Sequence, residues 1–155
     1  MLGALMFVSK LLMEIFPNIH LIGMLTMVCA ATYRWRGLIP IYVYVLLNGI
    51  YAGFSMWWIP YTYIWTILWA ITMLIPERTP RALKRVLYPI VCALHGFAFG
   101  TLYAPVQALM FGLSFEGMIA WIIAGIPFDI IHGISNIFTG MLVLPLSAMI
   151  KKISR

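Results

Sequence analysis

The placement of charge constrains this chain more than any other feature. Six apolar segments, roughly residues 2–16, 20–33, 38–54, 60–76, 84–112 and 117–150, follow one another, and most of the charged residues lie in or at the edges of the links between them. Six such runs with almost no polar face argue against a soluble helical domain. Of 155 residues, 64% are hydrophobic and 9% charged, whereas ordinary globular chains hold about 45–50% and about 25%. One domain of this length cannot bury that much apolar surface, so the surplus faces lipid or other membrane helices. The expected fold is all-α: one domain over 1–155, an integral membrane protein built as a six-helix transmembrane bundle with short loops. Several segments fall short of the roughly 20 residues of a straight span, a mismatch that local thinning of the bilayer absorbs.

Proline placement fits these boundaries. Pro17 follows the first segment, Pro60 opens the fourth and Pro76 closes it, where a missing N–H does least harm. Pro105 and Pro127 fall inside apolar runs and predict kinks or breaks. The last segment is too long for one crossing, so 117–126 is expected near the interface, with the span starting at about Pro127. The first run is interrupted by Lys10, lacks a basic stretch before it and a small-residue cleavage site after it, and so reads as a span, not a cleavable signal. Cys29 and Cys92 sit in apolar runs without CxxC spacing, which suggests neither a disulfide framework nor a thiolate metal site.

The basic residues set the orientation. Arg34 and Arg36 lie in one link, Arg78, Arg81, Lys84 and Arg85 in another, and Lys151, Lys152 and Arg155 in the tail. The alternate loops, "FPNIH", "FSMWWIPY" and "GLSFEG", carry no Lys or Arg. The positive-inside rule therefore places both termini in the cytoplasm, with Trp57, Trp58 and Tyr61 at the outer interface and Trp35 at the inner one. The net charge of +6 does not suggest nucleic acid, because the cations hug span ends instead of forming a stripe with interleaved aromatics.

On this topology the polar residues converge. In "AGIPFDIIHGISNIFTG", Asp129, His132 and Asn136 stand at i, i+3 and i+7, one face of a helix. Lys10 and Glu14 fall in the outer half of the first span, and Asn48 and Tyr51 near the outer end of the third. Trp65 lies on the fourth, His95 at mid-depth on the fifth, and Tyr103 and Gln107 further out. Ionisable groups in a membrane cost about 2.5–3.5 kcal/mol each on insertion scales and usually face a cavity or one another. Each has a structural alternative. Lys10 and Glu14 can neutralise each other at i, i+4. Asp129 can serve a helix N-terminus after Pro127. His132 and Asn136 can hydrogen-bond between helices, and Trp57 and Trp58 can form an interface belt. Together they describe an outward-opening pocket with aromatic walls and a few polar anchors. The candidate substrate-binding residues are Lys10, Glu14, Asn48, Trp58, Trp65, Tyr103, Gln107, Asp129, His132 and Asn136. The pairs Gly49/Gly53 and Gly96/Gly100, each four apart, permit close helix approach.

The chain carries no P-loop signature, no HExxH and no GxSxG. His20, His95 and His132 could gather a metal with Asp129, but only Asp129 and His132 have helical ligand spacing, so no metal or other cofactor is assigned. A metal-dependent intramembrane enzyme and a structural subunit without ligand remain the alternatives. A pocket without an energy source suggests a non-enzymatic binding subunit that draws energy from partners.

The stretch "GIPFDIIHGISNIFTGMLVLPL" resembles the last helix of the substrate-binding S components of energy-coupling factor (ECF) transporters, relatives of ATP-binding cassette importers in bacterial plasma membranes. Similar Pro-Phe-Asp, His and Asn positions enter that helix, which ends in a Pro-Leu turn and a basic tail. Size, six spans and cytoplasmic termini fit the same family. The resemblance implies a pocket near the outer face for a vitamin, precursor or similar small molecule. It also implies partners: a transmembrane coupling subunit and two cytoplasmic ATPases. The family docks its coupling subunit through small residues on the first helix; the equivalents here are Gly3, Ala4 and Ser9, in different spacing. Lys10 would suit an anionic or carboxylated ligand, and Trp58, Tyr61, Trp65 and Tyr103 a flat heterocycle.

Overall fold

A computed structural model describes residues 1–16 and 18–153; Pro17 and Arg155 lie outside the described residues. The chain forms α1 (Leu2–Met13), α2 (Ile22–Tyr33), α3 (Leu38–Ala52), α4 (Tyr61–Met73), α5 (Arg81–Phe97), α6 (Phe99–Phe111), α7 (Phe115–Gly140) and α8 (Val143–Ile153). Short 3₁₀ turns at Arg34–Gly37 and Met56–Trp58 join them, and the described residues contain no strand. Helices α5 and α6 meet end to end at Ala98, and α7 and α8 across Met141–Leu142, so the eight helices of the described residues make six rods, one per apolar segment.

Helix α2 is the axis. Its sequence "IGMLTMVCAATY" is apolar all round, and every residue from Ile22 to Ala31 is buried, as expected of a helix surrounded by others. It packs against α4 and α8 most extensively, and also against α5, α3, α7 and α1.

Helix α7 is built the other way. Its buried residues are Asp129, His132, Gly133, Asn136 and Gly140, while Ile123, Ile126, Phe128, Ile130, Ile134, Ile137 and Phe138 face outward. A soluble helix buries its apolar stripe; this one buries a polar and small-residue stripe and exposes the rest. Among the described residues, two stretches, Arg81–Phe111 and α7, are long and apolar enough to cross a membrane. Only 11% of the most apolar 18-residue window of α7 is buried, so it is not the core helix of a soluble domain. Its 26 residues extend about 39 Å at 1.5 Å each, more than the roughly 30 Å hydrocarbon core.

The prolines do not set the breaks. Helix α6 runs through Pro105 and α7 through Pro127, both on exposed faces. The residues 117–126 therefore continue into the helix beyond Pro127 instead of forming a separate interfacial segment. The interruptions fall at Ala98 and Met141–Leu142. Glycines fix the contact between α5 and α7: a Cβ on Gly96 would lie 2.9 Å from Gly133 Cα, and one on Gly140 would lie 2.7 Å from Pro89 Cα. The pair Gly49/Gly53 serves a different purpose from helix approach. Gly53 ends α3 at φ +90°, and Gly49 leaves room for the Phe54 and Trp58 rings.

The two ends of the bundle differ in charge. Arg34 follows α2 and lies 3.9 Å from Glu77. Arg81, Lys84 and Arg85 open α5, and Lys151 and Lys152 close α8. The loop residues 14–16, 18–21, 53–60 and 112–114 lie at the far ends of the rods, without Lys or Arg.

Candidate functional site

The loop before α2 turns inward and inserts His20 among the helices. Its ring lies 4.5 Å from His132 on α7 and 5.9 Å from Trp65 on α4, measured between centroids. Trp65 in turn lies 5.7 Å from His95 on α5 and 5.7 Å from Phe99 on α6, and Phe99 lies 5.0 Å from His132. Five chain elements thus bring five rings into one cluster at the end of the bundle away from the arginines. Tyr44 and Tyr61 pack against Trp65 from behind, at 6.2 and 6.0 Å. Trp65 is 1% exposed and the His95 and His132 side chains 3% each.

The cluster is rich in hydrogen-bonding atoms that the protein leaves alone. His20 Nδ1, Trp65 Nε1, His95 Nδ1 and His132 Nε2 are all buried without a partner among the described residues. Each such group costs about 1–3 kcal/mol, so four cost about 4–12 kcal/mol, comparable to the 5–15 kcal/mol stability of a whole domain. Buried polar groups of this kind are ordinarily satisfied by ordered water or by a bound molecule. The polarity of two atoms is fixed. Trp65 Nε1 can only donate. His95 Nε2 lies 3.1 Å from the Ile64 carbonyl, which can only accept, so Nε2 carries the proton and the neutral ring presents Nδ1 as an acceptor. His20, in the loop outside the helices, is held down to about 4 by burial, with His95 adding to the effect.

Beside it, separated by Phe99, a groove of about 390 Å³ opens between α6 and α7. Tyr103 and Trp121 line it as a stacked pair, 5.9 Å apart and 18° from parallel, with Gln107, Asn18 and Asp129 as polar contributors. The Tyr103 hydroxyl donates to the Trp57 carbonyl at 2.9 Å and holds the 3₁₀ turn over this end. Asp129 accepts from the Gly100 N–H through both oxygens, at 3.0 and 3.1 Å. It caps α6 across the Ala98 break rather than the N-terminus of its own helix, where α7 runs unbroken.

The sequence-derived candidates therefore divide. Trp65 and His132 lie in the ring cluster, and Tyr103, Gln107 and Asp129 line the groove. Asn48 is fully buried, donates to the Tyr44 hydroxyl at 3.3 Å and keeps an unpartnered Oδ1. Asn136 donates to the Cys92 carbonyl at 3.1 Å and joins α7 to α5. Trp58 donates to the Val45 carbonyl at 2.7 Å, so its N–H is already engaged. Lys10 and Glu14 form an ion pair with each other, and Lys10 lies over the Tyr51 ring at 5.8 Å; among the described residues, no hydrogen bond or ring contact joins either to the cluster. The charge that would suit an anionic ligand is neutralised within one turn of α1. On the candidate docking face, Gly3 is packed against Pro40 and Val43 of α3 and Ser9 is buried, bonded to the Met6 carbonyl. Only Ala4 of the three is exposed.

His20, His95, Phe99 and Trp121 were not among the substrate-binding candidates, although His20 and His95 had been weighed as metal ligands. A signal for His20 existed: the chain has three histidines, and all three meet here. Phe99 and Trp121 had none, because aromatic residues abound in every segment. Among the described residues, no group of three or more His, Cys, Asp or Glu side chains is placed to hold a metal ion. No protein-family model, curated protein or solved structure matches the chain.

Proposed function

We propose that this chain is the substrate-binding S component of an ECF-type importer in a bacterial plasma membrane. It crosses the membrane six times, with both termini in the cytoplasm. It captures a small molecule at the outer face and hands it to a transmembrane coupling subunit driven by two cytoplasmic ATPases. Its role is binding, not catalysis. The observation that carries this reading is the set of four unpartnered nitrogens in a buried aromatic cluster, at the end of the bundle opposite the arginines. Outward-facing apolar surface and the one-sided distribution of Lys and Arg support the membrane placement.

The chemistry of the cluster defines its ligand. A neutral, flat ring system suits walls of Trp, Phe and imidazole. The ligand needs an acceptor for Trp65 Nε1 and a donor for His95 Nδ1, a combination that amide-bearing nitrogen heterocycles supply. The partners are tested by affinity purification of the tagged chain from its native membranes under mild detergent. One coupling subunit and two ATPase subunits per chain are expected. Recovery of the chain alone at every detergent and salt condition, or in solution without detergent, refutes the importer reading.

A further inference from the structure

The basic end of the bundle holds a second hollow, formed where two helices part. At Gly140, α7 lies directly against Pro89 of α5. Immediately beyond, α7 ends, and α8 leaves across Met141–Leu142 to pack chiefly on α2. The wedge between the first turns of α5 and the start of α8 has a volume of about 410 Å³. Arg81 and Arg85 form its polar wall, and Met141, Leu144 and Pro145 its apolar one.

Two facts suit this hollow to an anion. Arg81 and Arg85, four residues apart, share a helix face, yet neither pairs with a carboxylate among the described residues. The acids are otherwise placed: Glu14 is paired with Lys10, Glu77 faces Arg34, Asp129 holds Gly100, and Glu116 opens α7 at the opposite end. In addition, the first turn of α5 contains no acidic residue, so cations crowd the positive end of a helix dipole, an unfavourable arrangement that a bound anion reverses. Guanidinium groups match phosphate oxygens in forked pairs. A soluble phosphate would leave the other wall uncovered. That wall continues onto outward-facing surface, with Met141 55%, Leu142 47% and Val86 54% exposed.

We infer that this wedge is a binding site for an anionic membrane phospholipid, with Arg81 and Arg85 holding the phosphate and an acyl chain lying along Leu144 and Met141. The assignment rests on the membrane placement proposed above, but not on the identity of the outer ligand or of the partners. The test uses the full chain purified in detergent. Native mass spectrometry and thermal unfolding are run with added phosphatidylglycerol, phosphatidylcholine or inorganic phosphate. Phosphatidylglycerol is expected to be retained as one tight adduct and to raise the unfolding temperature, with phosphatidylcholine and inorganic phosphate giving little of either. Arg81→Gln/Arg85→Gln should weaken phosphatidylglycerol about tenfold, a loss of about 1.4 kcal/mol. Lys152→Gln, at the same end but outside the wedge, should leave it within about twofold. Equal retention of the two lipids, or a double variant that binds like the parent, overturns the site. Inorganic phosphate that protects as well as phosphatidylglycerol overturns the lipid as its occupant. A chain that stays soluble without detergent refutes the membrane placement itself.

Discussion

Replacing Gly100 with alanine sets two effects of opposite sign against each other. Alanine gains about 0.8–1.0 kcal/mol over glycine inside a helix. The new Cβ, however, would sit 2.5 Å from Asp129 Oδ2 and 3.2 Å from its Cγ, closer than a methyl group can approach. The carboxylate must move, and the bond that caps α6 is lost. A hydrogen bond to a charged group contributes about 1.5–3 kcal/mol, and overpacking a close-fitted site adds about 1–3 kcal/mol. The net effect is a destabilisation of about 2–5 kcal/mol, which lowers the unfolding temperature by about 5–15 °C for a chain of this size. Thermal unfolding in detergent, followed by tryptophan fluorescence, reads this directly. The double variant Gly100→Ala/Asp129→Ala separates the causes. With no carboxylate to strike, alanine at position 100 should then be neutral or mildly stabilising. Gly100→Ala melting at or above the parent temperature, or strict additivity in the double variant, would refute the capping role of Asp129.

Three further outcomes follow from the same geometry. Gly96→Ala meets the Gly133 backbone and should lower the unfolding temperature, whereas Gly125→Ala, with nothing within 4 Å, should leave it unchanged or raise it; the reverse order in melts would contradict the α5–α7 contact. Lys10→Ala should leave ligand affinity unchanged, because Lys10 is paired with Glu14, while Trp65→Phe should weaken it about fivefold, the loss of one neutral hydrogen bond; titration calorimetry with the co-purified ligand compares the two. The His20 value of about 4 lies below the 6.5 of a free imidazole, so the unfolded chain takes up the proton first. Its contribution to stability is complete above about pH 6.5 and is lost as pH falls towards 4. His132 and His95 are the titratable groups that face it. Melts at about pH 7 and 5 should differ less for His20→Gln than for the parent, and identical differences would show that the ring titrates freely.

The residues legible in advance were those whose behaviour depends on one helix. The spacing of Asp129, His132 and Asn136 required a single face, and all three are buried on it. The i, i+4 spacing of Lys10 and Glu14 allowed mutual neutralisation, which is how they are found. The breaks were not legible, because they depend on a second helix. Pro105 and Pro127 face outward, where a proline ring removes one backbone bond without forcing the chain apart. Ala98 interrupts α5 and α6 because Asp129, twenty-nine residues beyond Gly100, supplies the acceptor for a new helix start. The groove and the ring cluster were anticipated as one pocket. Phe99, at the first position of α6, divides them, and its place follows from that same unforeseen break.

The central claim is that the buried ring cluster exists to hold a neutral heteroaromatic molecule. Native mass spectrometry of the freshly purified chain, released gently from detergent, tests it most directly, alongside Trp65→Phe and His95→Gln. A ligand held at a hundred times its Kd would stabilise the fold by about 2.7 kcal/mol and survive release. The expected result is an uncharged organic adduct of a few hundred daltons on the parent, reduced in both variants. A metal-sized adduct, or an organic one bound equally by all three proteins, would contradict the assignment of that cluster.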